Sequence, residues 1–135
     1  MDYHQIQIRV RYSETDQMQV VYHGNYAQYF EIGRVEWLRN KGISYKLMEQ
    51  SGIMLPVVSL TMNYKKPARY DELLTLKTIL KNRTSVKIEF DYELYNEKEE
   101  LLTTGNSILV FVDMKTGKPM SPPPYIIDIL NTINQ

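Results

Sequence analysis

Cysteine is absent from the 135 residues. That excludes disulfides, thiolate metal sites and a cysteine nucleophile together. An excess of one charge is missing too: Lys plus Arg and Asp plus Glu number 16 each, and the formal net charge is zero. A protein that grips nucleic acid by neutralising phosphates needs a basic excess, so no nucleic-acid partner is expected. No apolar run approaches the roughly 18–20 residues of a membrane-spanning helix. The opening stretch MDYHQIQIRV also lacks the apolar core of a secretion signal. These absences point to a soluble protein in a reduced, cytoplasmic setting. The two histidines, His4 and His23, form no ligand cluster, and neither metal nor cofactor is expected.

The length suits one domain over residues 1–135. A chain of this size hides roughly 65–70% of its unfolded surface, enough for a single core. The segment YHQIQIRVRY alternates, with Ile6, Ile8 and Val10 on one face and Gln5, Gln7, Arg9 and Arg11 on the other, which predicts a half-buried strand. A polar stretch follows. From Asn25 to about Lys41 the pattern becomes helical, with Tyr26, Phe30, Gly33 and Trp37 on one stripe and Ala27, Arg34 and Leu38 on a second. Tyr29, Ile32 and Val35 add apolar groups on another side, so the helix is expected to be largely surrounded by protein. Lys41-Gly42 is a good stop signal.

A short helix is predicted from about Ser44 to Gln50, and no long helical pattern returns before the C-terminus. IMLPVVSLTMNYKKP reads as one strand with Pro56 near its start. DELLTLKTILKNRT, SVKIEFDYELYN and ELLTTGNSILVFVDMKTGKP supply three more, expected in meander order with turns at NRTS and NEKEE. Gly105 inside the last of these suggests a bulge or a close backbone approach. PYIIDILNTI is expected as a closing helix. The fold class is therefore α+β, a five-stranded antiparallel sheet wrapped around one long central helix. One helix cannot cover such a sheet and its edges, so a homodimer or homotetramer is expected.

The segment RYSETDQMQVVYHGNYAQYFEIGRVEWLR resembles the signature of the hotdog-fold acyl-CoA thioesterases, in particular the 4-hydroxybenzoyl-CoA thioesterase-like group. The resemblance covers essentially the whole chain. It implies hydrolysis of a short-chain or aromatic acyl-CoA, which is the substrate partner, to free acid and coenzyme A. It also implies that Asp16 is the catalytic carboxylate and that the backbone N–H of His23 polarises the thioester carbonyl. The active site would lie between two subunits. Gln19 stands where many relatives carry glycine. A turn with positive φ there would strain glutamine by about 1 kcal/mol or more.

The residue types suit the chemistry. Thioester hydrolysis needs an activated water or a carboxylate nucleophile, together with a donor for the developing oxyanion. A helix N-terminus provides such donors. Tyr22, Asn25 and Tyr26 are the nearby candidates for substrate contact, and Asn25 is also a candidate helix cap. Lys65, Lys66 and Arg69 in NYKKPARY, with Arg83, are candidates for the phosphates of coenzyme A. Glu31 on the helix is the second candidate carboxylate. An acyl-carrier-protein thioesterase, or a hotdog protein that binds an acyl chain without hydrolysis, is the alternative function.

Overall fold

The computed structural model of the protein describes residues 3–132. Its elements run β1 (Tyr3–Arg9), α1 (Asn25–Asn40), α2 (Tyr45–Gln50), β2 (Ile53–Met54), β3 (Val57–Tyr64), β4 (Leu73–Arg83), β5 (Lys87–Tyr95), β6 (Leu101–Val110), β7 (Val112–Asp113) and α3 (Pro124–Thr132). Five strands form one antiparallel sheet in the order β1-β4-β5-β6-β3, and β2 pairs with β7. This is the sheet and central helix that the hotdog resemblance implies.

Two expectations about the strands are corrected. The sequence IMLPVVSLTMNYKKP is not one strand. Proline has no N–H to give a ladder, and the chain breaks at Leu55-Pro56, so β2 joins β7 while β3 starts afresh at Val57. The long strands are not a simple meander either. β4, β5 and β6 follow one another, but β3 lies beside β6 at the far edge and β1 beside β4. The link from β3 to β4 runs over residues 65–72, too long for a tight hairpin, and its Lys65 and Lys66 N–H groups both donate to the Leu102 carbonyl.

Alternation explains the core. In β5, Ile88, Phe90, Tyr92 and Leu94 are fully buried, while Glu89, Asp91 and Glu93 face outward. Helix α1 lies on the inner face with Tyr29, Phe30, Trp37 and Leu38 buried. The Phe30 ring stacks on Tyr92 at 4.4 Å, and Trp37 meets Phe90 edge-on at 5.1 Å. The helix is covered on one side only: Gln28, Glu31, Ile32 and Arg39 are exposed in the single chain, which corrects the expectation of a surrounded helix. It ends as Lys41-Gly42 predicts. Gly42 takes φ +86°, its N–H donates to Arg39 O, and the Ile43 N–H donates to Leu38 O at 2.9 Å, the two bonds of a Schellman stop.

Candidate active site

Between β1 and α1 the chain makes a small hairpin. Tyr22 N–H donates to Glu14 O, Thr15 bridges Val21, and Asp16 N–H donates to Val20 O at 2.9 Å. The tip is tight. Gln19 N–H returns to Asp16 O at 2.9 Å, and Gln19 sits at φ +65°. A three-residue loop closed by a left-handed residue is a hairpin with a G1 bulge, the position that favours glycine. The turn therefore keeps the shape that a glycine would favour, and Gln19 carries the strain of it.

Asp16 is the first residue of this turn. Its Oδ1 accepts the Met18 N–H at 2.8 Å, which fixes the carboxylate, while Oδ2 has no hydrogen-bond partner among the described residues. The second arm of the hairpin runs directly into α1. There the Asn25 N–H donates to Tyr22 O and the Tyr26 N–H to His23 O, so the first turn is closed. Among the described residues the N–H groups of His23 and Gly24 have no partner. They are the leftover donors of a helix start, at the positive end of its dipole.

Asp16 and His23 line one open cavity of about 300 Å³, together with Val20, Val21, Tyr26, Tyr64, Lys65, Lys66 and Pro67. On its other side Asp16 borders a wider groove of about 780 Å³ whose walls include Tyr12, Gln19 and Tyr70. The carboxylate thus stands where two spaces meet. A carbonyl held in the smaller cavity has donors at the helix start and a basic oxygen at Asp16.

Of the residues expected at the site, Asp16, His23, Tyr26, Lys65 and Lys66 are brought together by this cavity. Tyr26 is almost wholly buried, and its hydroxyl accepts the Ala68 N–H at 3.3 Å, so it forms the floor. Tyr22 is half exposed and packs its ring on the His23 imidazole at 4.4 Å, outside the cavity lining. Asn25 caps nothing with its side chain. Its Nδ2 donates to Glu14 O at 2.8 Å, tying the helix start to the hairpin. Lys66 pairs with Glu100 at 2.5 Å, which holds that carboxyl below the ordinary range, whereas the Lys65 ammonium has no partner among the described residues. Arg69 faces a separate groove with Glu72 and Glu100.

Arg83 stands apart. It ends β4, eleven residues long, which puts it about 30 Å from the strand's site end, and its guanidinium donates to Asn131 and to Thr84 O. Glu31 is exposed on α1 and lines neither cavity. Sequence reasoning missed Tyr64 and Glu14. The Tyr64 hydroxyl donates to the His23 carbonyl at 3.3 Å from the end of β3, directly before the two lysines. Glu14 is a buried hub two residues before Asp16. Same-arm spacing with Asp16 was its only signal.

The model of the thioesterase-like superfamily matches residues 10–130. The chain belongs to that family. An acyl-CoA thioester hydrolase, YbgC, from Escherichia coli O6:H1 is 30% identical over 120 residues, covering 89% of this chain and 90% of its own. YneP from Bacillus subtilis (strain 168), provisionally assigned as an acyl-CoA thioesterase, is 38% identical over 114 residues, covering 84% and 83%. Among solved structures, DHNA-CoA thioesterase from Staphylococcus aureus superposes with a TM-score of 0.96 at 38% identity, covering 99% of this chain and 92% of that one. The hotdog architecture expected from the residues is thus the architecture of its relatives.

Proposed function

We propose that this thioesterase-family chain hydrolyses acyl-CoA thioesters to a free acid and coenzyme A, with Asp16 as the catalytic carboxylate. The observation that carries this reading is the cavity shared by Asp16, a fixed carboxylate with one free oxygen, and His23, whose N–H is unpaired at the helix start beside that of Gly24. Asp16 Oδ2 takes a proton from water, and the resulting hydroxide attacks the thioester carbon. The carbonyl oxygen gains the charge and is met by the His23 and Gly24 N–H groups, each such donor being worth roughly 3–4 kcal/mol in the transition state. The C–S bond breaks and the thiolate of coenzyme A leaves without needing a strong acid. The acyl group we assign is aromatic, supported by the 38% identity with a protein named for DHNA-CoA. Cytoplasm is the matching location, since acyl-CoA is made and used there.

The working unit in this proposal is at least a homodimer. Strand β3 is a free edge carrying exposed Val57, Val58, Leu60 and Tyr64, while the opposite edge strand β1 presents Gln5, Gln7 and Arg9. Tyr64 lines the cavity, so a partner laid along β3 would reach the edge of the site.

Asp16→Asn tests the function. It keeps the shape and the Met18 hydrogen bond but removes the base, so kcat on the best acyl-CoA should fall on the order of 10²-fold or more with KM nearly constant. Near-normal turnover by this variant, followed with a thiol-reactive dye, would overturn the assignment and direct attention to Glu31.

A further inference from the structure

Glu14 is 7% exposed, unusual for a carboxylate in a small protein and tolerable only if its oxygens are satisfied. They are. Oε1 accepts the Arg11 N–H at 2.8 Å and the Tyr29 hydroxyl at 2.9 Å. Oε2 accepts from the Arg11 guanidinium at 3.2 and 3.3 Å. The Glu14 carbonyl accepts the Tyr22 N–H at 2.9 Å and Asn25 Nδ2 at 2.8 Å.

The direction of these bonds matters more than their number. Tyr22 is on the returning arm of the hairpin that carries Asp16, Asn25 opens α1, and Tyr29 is one turn further along the helix. One residue therefore ties the hairpin to the helix start, where His23 shares the cavity of Asp16. Among the described residues, the bonds from Asn25 Nδ2 to the Glu14 carbonyl and from the Tyr29 hydroxyl to its Oε1 are the hydrogen bonds that join the arm of Glu14 to α1.

We propose that Glu14 is a positioning residue for hydrolysis: it sets the Asp16 carboxylate against the His23 and Gly24 N–H groups. It touches no reacting atom. The proposal rests on the reading of Asp16 as the catalytic carboxylate. Its consequence is specific, because a displacement of about 1 Å between reacting groups costs on the order of 10²-fold in rate while leaving binding at remote contacts alone.

The geometry also provides a conservative rescue. The bonds from Tyr29 and from the Arg11 N–H both end on Oε1, an oxygen that glutamine retains. Glu14→Gln gives up the ion pair with Arg11 and the two guanidinium hydrogen bonds to Oε2, and Arg11, whose side chain is 74% exposed, can turn its guanidinium into water. The test uses the full-length protein, with kcat and KM measured well below the melting midpoint. Glu14→Ala should lower kcat roughly 10- to 100-fold with KM within about twofold. Glu14→Gln should return kcat to within about threefold of wild type, and Tyr29→Phe should lower it by roughly three- to tenfold. In an Asp16→Asn background, Glu14→Ala should cost nothing further in kcat, because it acts through Asp16.

A Glu14→Ala protein that melts earlier but turns over normally would show a mere structural tie and overturn the proposal. So would an equal loss of kcat with and without Asp16. Should Glu14→Ala fail to fold, Tyr29→Phe and Asn25→Ala decide the matter by the same criteria. Normal turnover by Asp16→Asn sinks the functional reading itself. A crippled Asp16→Asn beside unimpaired Glu14→Ala and Tyr29→Phe sinks only the positioning role.

Discussion

Gly105 on β6 and Phe30 on α1 approach so closely that a Cβ on the glycine would lie 2.4 Å from Phe30 Cε2. Phe30 has little room to yield, because its ring is stacked on Tyr92, the residue paired with Gly105 on β5. This contact sets how deeply the helix sits on the sheet. Replacing glycine by alanine in a strand would ordinarily gain about 0.4–1 kcal/mol by restricting the unfolded chain. Here overpacking wins, and Gly105→Ala should destabilise by about 1–3 kcal/mol. Thermal unfolding checks it. A melting temperature equal to or above wild type would show that the helix can shift at little cost.

Gln19 gives a prediction of opposite sign. At φ +65° an L-residue bears a strain of roughly 1–2 kcal/mol, and glycine would shed it while costing about 0.4–1 kcal/mol in chain entropy. Gln19→Gly should therefore be neutral to about 1 kcal/mol more stable, with kcat unchanged because the turn keeps its shape. Gln19→Val should lose stability, since a β-branched residue is a severe outlier at positive φ. Denaturant midpoints for the two variants should move in different directions. If both fall together, the side chain of Gln19 has a role that its backbone does not explain.

Tyrosine burial predicts the alkaline limit. Burial raises the hydroxyl pKa of Tyr26, Tyr29, Tyr45 and Tyr92 above the ordinary 10.0, and in Tyr29 the Glu14 carboxylate adds to the rise. The folded state therefore holds these protons where the unfolded chain has lost them. Stability from this source is fully present below about pH 10 and is lost as pH rises beyond it. Melting temperature should be nearly flat from pH 7 to about 9.5 and fall steeply above 10. Phenolate absorbance should show a delayed fraction that appears only with unfolding. Full titration of every tyrosine near pH 10 in folded protein would contradict the burial.

Much of this was legible in the residues, and the failures have physical causes. Alternation in β1 and β5 and the Lys41-Gly42 stop are local signals, and the structure follows them. The close approach at Gly105 was also readable, because a glycine in a strand has few other reasons to be there. Strand order was not readable from local pattern. An edge strand beside β6 and one beside β4 show the same pattern, and only the eight residues between Tyr64 and Leu73 hinted that β3 and β4 are not neighbours. At the site, Asp16 and His23 were visible through a motif. Glu14 and Tyr29 were not, because their hydrogen bond spans fifteen residues and neither looks unusual alone.

The proposed association through β3 can be tested at the strand itself. Val58 is 57% and Leu60 is 40% exposed, so lysine at either position costs the single chain little apolar burial. Charges on a free edge block edge-to-edge pairing, because two copies laid antiparallel would bring lysines together without water to solvate them. The Val58→Lys/Leu60→Lys protein should therefore fold but remain a monomer by light scattering at micromolar concentration, where wild type shows at least twice that mass. Turnover should fall with association, since Tyr64 at the end of β3 lines the cavity that holds Asp16 and His23. Adding the same lysines at the opposite edge of the sheet, at Gln5 and Gln7 on β1, should leave both mass and activity alone. A wild-type protein that is monomeric and fully active at micromolar concentration would refute the shared site. A double variant that still associates would place the interface elsewhere, on the exposed face of α1 with Gln28, Glu31 and Ile32 as the next surface to charge.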